Sequence, residues 1–226
     1  AAGGEVFTYA RVTGIVVRDG RACGVRMEDG HEIESRCVIS DAGAMNTLAR
    51  LLPQDVSRAA GYDQLLPKVK PSIGHLGVYI GLEATAAELG LPKTNFWIYP
   101  NNDYDGTLAK FEADPTGPFP AVYLSFPSAK DPDFERRHPG KATIEIVAPA
   151  PYETFAPWAD KTWGKRGEDY DALKQSYGER LLEHLYEKVP QVRGRIDYWE
   201  VSTPLSMQWF CGWERGELYG LDHDPS

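Results

Sequence analysis

The run Ser40-Asp41-Ala42-Gly43-Ala44 is the first candidate for chemistry in this chain, because small residues after a strand let another group approach the backbone closely. A bound cofactor is one such group, and a plain turn explains the same residues. His75 is the second candidate. It lies among Gly74, Gly77 and Gly81 on an apolar stretch, where an imidazole can project into a cavity. His31, His138, His184 and His223 stand apart from any second ligand at metal spacing and read as surface or packing residues. No GxSxG, HExxH, CxxC or Walker pattern occurs, so the common hydrolase and metal readings have no support and no metal is expected. Asp131 with Asp133 reads as a solvated loop, and Glu168 with Asp169 as a helix N-terminus, where the dipole alone explains the charge.

Around these residues the chain divides into recognisable elements. Val12, Ile15, Val16 and Val17 form one β-rich run, Cys23, Val25 and Met27 alternate in a second, and Ile33, Val38 and Ile39 mark a third. Asp19-Gly20 and Asp29-Gly30 supply turn residues between them, which predicts an antiparallel meander. Asn46 to Leu52 reads as a short helix stopped by Pro53, and Pro67 to Pro71 as an extended connector. Strands are expected over 73–82, 95–99, 121–126, 143–148 and 195–201. The period of Tyr170, Leu173, Tyr177, Leu181, Leu185 and Val189 predicts one long helix ended by Pro190. The fold class is therefore α+β, an antiparallel sheet with flanking helices.

Composition narrows the function. With 226 residues, 42% hydrophobic and 25% charged, the chain can bury a core as one large domain or two small ones. A net charge of −9 with scattered Lys and Arg argues against nucleic acid as a partner. Cys23, Cys37 and Cys211 have neither disulfide nor zinc spacing and are expected to be buried, reduced packing residues. The first ten residues carry no secretory pattern and no apolar run can span a bilayer, so a cytoplasmic location is expected. Six Trp, twelve Tyr and eight Phe suit a broad apolar pocket and equally an ordinary core.

In order, these elements resemble the middle of an FAD-dependent oxidoreductase of the phytoene desaturase, carotenoid isomerase and retinol saturase group, within the amine-oxidase-like flavoproteins. Gly4 to Val12 resembles the segment that introduces the FAD-domain meander, VVRDGRACGVRMEDGHEIESRCVISDAG the meander itself, and Pro204-Leu205 with Gly216, Tyr219 and Gly220 a late "TPL…G…YG" stretch. The resemblance implies a β-meander of an incomplete, Rossmann-like FAD-binding domain over 1–44, a substrate-binding domain over 45–200 and a return segment over 201–226. It would place the Val12 backbone against the adenine of FAD, Ser40, Asp41 and Ala42 where the chain passes the cofactor, and Tyr219 and Gly220 near the flavin. Trp97, Tyr99, Tyr123 and Phe126 become candidates, with His75, for the wall of an apolar substrate pocket.

The strand–GxGxxG–helix that opens these enzymes and the Gly-rich segment that closes them are both missing, as in an internal fragment, so the chain alone is expected to bind FAD weakly or not at all. The implied function is hydride transfer between flavin N5 and a polyene or isoprenoid-like substrate, with no obligatory side-chain base. Such a substrate arrives from a membrane, which allows peripheral membrane contact, although no amphipathic anchor stands out. Two other readings stay open. One is a non-enzymatic α+β module binding an apolar ligand or protein. The other is an amine or amino-acid oxidase of the same superfamily, with Arg136 or Arg137 as a substrate clamp.

Overall fold

Asp19 and Gly20 both take left-handed backbone angles, φ 51° and 71°, and so turn β1 (Val12–Arg18) tightly onto β2 (Arg21–Met27). In the computed structural model, which describes residues 3–223, β3 (Glu32–Glu34) completes an antiparallel three-stranded sheet in the order β1-β2-β3. Gly24 faces Glu34 there, and a Cβ on it would lie 2.3 Å from the Ile33 carbonyl oxygen. The third strand is shorter than its apolar residues predict. The Ser35 hydroxyl donates to the Cys37 carbonyl at 2.6 Å, a local bond that diverts the chain from the ladder and leaves Ile39 92% exposed.

Asn46–Leu51 forms a π-helical stretch rather than an ordinary helix, and Pro53 separates it from the short helix Gln54–Ala59. The Ser57 hydroxyl, bonded to the Leu48 carbonyl at 2.6 Å, holds the two together. These elements and the meander form one compact unit, residues 3–72, 212–214 and 219–223 of those described. Its buried apolar residues are few: Ile15, Val16 and Leu66. The Ser72 N–H donates to the Gly220 carbonyl at 2.8 Å, where the chain leaves and re-enters this unit.

The second unit, Ile73–Cys211 with Arg215–Leu218, is built on five antiparallel strands. These are β4 (Gly74–Leu82), β5 (Phe96–Ile98), β6 (Val122–Ser125), β7 (Ala142–Ala150) and β8 (Ile196–Ser202), in the order β5-β6-β7-β4-β8. The longer helices of this unit are α1 (Tyr104–Ala113) between β5 and β6, α2 (Glu168–Lys188) between β7 and β8, and α3 (Pro204–Cys211) after β8, with two one-turn helices, Pro127–Lys130 and Phe134–Arg137, between β6 and β7. Strand alternation gives the sheet two unlike faces. Leu76, Val78, Ile80 and Leu82 of β4 align with Ala148, Ile146, Ile144 and Ala142 of β7, all buried, and form the core with the Tyr177, Leu181 and Leu185 stripe of α2. Gly178 lets α2 come close, since a Cβ there would sit 2.2 Å from the Trp199 ring of β8.

Arg180 secures the other side of the helix. Its guanidinium donates to the carbonyls of Pro115 and Gly117 and lies over Phe119. The Leu218 N–H donates to the Ile73 carbonyl at 3.0 Å, so the two ends of this unit lie side by side. The cysteines are not core residues: Cys37 and Cys211 are exposed and Cys23 is half-buried, because the packing volume is filled by β-branched, leucine and aromatic side chains instead.

Candidate functional site

The second face of the five-stranded sheet gathers several of the expected pocket residues. Cross-strand pairing puts Trp97, Tyr123, Val147, Gly77 and Ser202 in one row, and Ser125, Glu145, Tyr79 and Glu200 in the next. The Trp97 and Tyr123 rings pack at 4.7 Å, and Trp97 remains 58% exposed. His75, opposite Pro149, ends the face along β4. Phe126 is elsewhere. It is fully buried, edge-on to Phe96 on the core side, so it cannot line the same surface. Tyr99 follows the end of β5 and packs against Tyr104.

Gly77 has a specific role in this arrangement. A Cβ on it would meet the Tyr79 hydroxyl at 3.0 Å, so the Tyr79 ring lies back along the strand over the space that glycine leaves. Partial burial, with Glu145, Cys211 and Glu200 nearby, pushes the Tyr79 phenol above its ordinary value and keeps it protonated. His75 is only 7% exposed, and burial lowers its imidazole pKa, so the neutral ring is favoured. Its buried Nδ1 has no hydrogen-bond partner among the described residues. A polar atom left so costs about 1–3 kcal/mol, which a ligand that hydrogen-bonds it recovers. Tyr79 was not among the residues expected here, and its shared strand parity with His75 is the one signal that would have found it.

The residues expected at the cofactor belong to the other unit. Val12 begins β1, half-buried, paired with Met27. The Ser40 and Thr47 hydroxyls bond at 2.6 Å, and Asn46 donates to the carbonyls of Ala42 and Gly212, each at 2.9 Å. Asp41 is exposed. Tyr219 is exposed, its N–H bonded to the Ser72 hydroxyl at 3.1 Å. Gly43 and Gly220 have nothing within 4 Å of where a Cβ would stand, so both present open backbone.

Arg136 pairs with Asp133, and Arg137 with Asp131 and Asp133, in the one-turn helix Phe134–Arg137, outside the residue rows of the sheet face. Two surface clefts lie away from the expected pocket and cofactor residues, the first of them bordered by Asp131. One, of about 340 Å³, is lined by Leu91, Ala129 and Phe134 among others, and one of about 410 Å³ by Phe119, Arg180 and His184. The sequence reading also missed an exposed aromatic cluster, in which Trp163 stacks on Trp209 and meets Phe210 edge-on at 5.3 Å. No helix among the described residues is long and apolar enough to cross a membrane.

No model of a known protein family matches the chain. Its similarity is to individual proteins. It is 36% identical to human all-trans-retinol 13,14-reductase over 231 residues, covering 99% of this chain and 38% of that protein. It is 26% identical to a 4,4'-diapolycopene oxygenase from Methylomonas, covering 98% of the chain and 41% of the relative. It is 25% identical to the chloroplastic prolycopene isomerase of Arabidopsis thaliana, covering 96% and 33%. A solved oxidoreductase from Methanosarcina mazei is 18% identical and superposes with a TM-score of 0.47 over 89% of this chain and 38% of its own. The chain thus spans 38% of the length of the retinol reductase it matches.

Proposed function

We propose, from the premise that this chain is a homologue of the retinol reductase, diapolycopene oxygenase and prolycopene isomerase group, that it is the central part of an FAD-dependent oxidoreductase acting on an apolar polyene. The match to a retinol reductase over 99% of the chain carries this reading. In it the five-stranded sheet presents substrate on the face that bears Trp97, Tyr123, Val147 and Tyr79, while the meander unit serves the cofactor.

The residues present suit such a division of labour. Exposed Asp41, open backbone at Gly43 and Gly220, and small side chains at Ser40 and Ala42 admit the close approach of a large planar group. FAD, when bound, supplies hydride transfer to or from a substrate carbon. The chain's own contribution is to hold an apolar substrate against aromatic side chains and to exclude water, which favours reaction by position rather than by a side-chain base. The place of Arg136 and Arg137, outside the rows of the sheet face, disfavours an amine or amino-acid oxidase with either as its clamp.

The test is to purify the full-length protein that carries this segment, supply FAD, and incubate it anaerobically with all-trans-retinol or a lycopene, once with the flavin oxidised and once after reducing it with dithionite, so that both directions of hydride transfer have their electron donor or acceptor. A flavin absorption spectrum together with a changed polyene is expected. A protein that takes up no flavin and leaves every polyene unchanged overturns the reading.

A further inference from the structure

We propose that Asn46 is a positioning residue of the cofactor site, setting the backbone of the 40–44 turn against the return segment in the arrangement that receives FAD. The proposal rests on the reading of the meander unit as serving the cofactor. Asn46 links the two stretches directly. Its amide donates to the Ala42 carbonyl and to the Gly212 carbonyl, each at 2.9 Å, the second of them 166 residues away in the chain. The amide has only one consistent orientation. The Arg50 guanidinium donates to Asn46 Oδ1 at 2.7 Å, and because arginine can only donate, the Nδ2 end must face the two carbonyls. The Ser40 and Thr47 hydroxyls, bonded at 2.6 Å, fasten the start of the same turn.

Main-chain support for the turn comes at the Gly43 carbonyl, which accepts from the Thr47 N–H at 2.9 Å, so the peptide before Gly43 is held by Asn46. A peptide unit is planar and trans, and its C=O and N–H point in opposite directions. With the Ala42 carbonyl held on Asn46, the Gly43 N–H is turned away from that side chain. Gly43 has φ 84° and nothing within 4 Å of where a Cβ would stand, so the backbone here is open to a large ligand. Loss of the Asn46 amide frees the Ala42–Gly43 peptide to rotate and lets Gly212 part from the turn. The Ser57 hydroxyl, on the Leu48 carbonyl at 2.6 Å, is a staple of another kind: it joins two helical segments of the same unit and touches neither stretch.

Titration of the flavin-free, full-length protein with FAD tests this by two readouts. One is the Kd from flavin fluorescence, and the other is the visible circular dichroism of the bound flavin, which reports the asymmetry of its surroundings. Asn46→Asp keeps the shape of the side chain and removes the donor. It should raise the Kd about tenfold, the worth of one ordinary hydrogen bond, and alter the dichroism. Ser57→Ala should lower the melting temperature of the flavin-free protein and leave both flavin readouts as in the wild type. Asn46→Asp with the wild-type Kd and dichroism overturns the proposal. So does a weakening of FAD in both variants in proportion to their loss of melting temperature, which is what a merely structural role gives. Should Asn46→Asp fail to fold, Arg50→Met, which keeps the amide but releases its orientation, decides by the same two readouts, and unchanged values overturn the proposal. A wild type that takes up no FAD removes the cofactor reading of the whole unit, and the role of Asn46 with it.

Discussion

Gly178 fixes how near α2 can lie to the sheet, and its absent side chain is filled by Trp199 and Val201. Valine there must displace an indole ring and a buried methyl, so Gly178→Val should cost about 1–3 kcal/mol in urea unfolding despite the better helix propensity of valine. His75 makes a prediction of another kind. Burial favours its neutral form, so as pH falls below about 6.5 the unfolded chain takes up a proton before the folded one does. The folded state therefore loses stability on acidification through the window between the unfolded value and the lowered folded one. His75→Phe should flatten the melting temperature against pH there, and an unchanged slope would show that the ring titrates freely. His75 was legible in the sequence as an odd residue on an apolar strand. That its ring is enclosed was not, because enclosure depends on Pro149 and on residues far along the chain.

At the scale of elements, alternation and period carried the sequence reading furthest where one face is buried. β4 and β7 pair over nine residues, and α2 matches its apolar stripe to within a residue at each end. Leu181 and Leu185 are fully buried on that stripe, so Leu181→Ala should cost about 2–5 kcal/mol by denaturant midpoint, depending on how far the site collapses. Where a short side-chain bond decides, pattern misleads. Val38 and Ile39 look like strand residues, but Ser35 turns the chain before them. α3 and α1 escaped notice because Pro-Leu-Ser-Met-Gln-Trp-Phe-Cys has no polar face to set a period, and because Gly106 lies in the first turn of α1. Gly106 is there because Asp103 caps its N–H at 3.1 Å and leaves no room for a Cβ. In the meander, Gly24→Val should detach β3, since its side chain would occupy the Ile33 carbonyl position. Amide exchange should then quicken over residues 32–34 while β4 and β7 keep their protection.

The whole molecule has its apolar burial unevenly shared. The core cluster runs from Leu76 to Leu205, all within the second unit, whereas the first retains three buried apolar residues among those described. Native-state exchange should therefore show β1–β3 opening at lower free energy than β4, β7 and α2, because local stability follows buried apolar contact. Equal protection in both units would contradict this. The division into two units was only partly visible beforehand. The division at 72/73, and the interleaving of 212–214 and 219–223 with the first unit, depend on pairings such as Pro71 with Leu221, which join residues far apart in the chain.

That interleaving bears on how such proteins can diverge. Ile73 and Leu218 are hydrogen-bonded neighbours in the second unit, and Ser72 and Gly220 in the first, so the outermost ends of the inserted segment share one doorway, while 212–214 make a second excursion. A host that receives another sheet at this doorway has no new gap to bridge, whatever the size of the replacement. A cassette cut at 72/73 and 218/219 carries 212–214 with it, so chimaeras joined there should keep a cooperative thermal transition only where the incoming segment replaces Gly212 as an acceptor for Asn46.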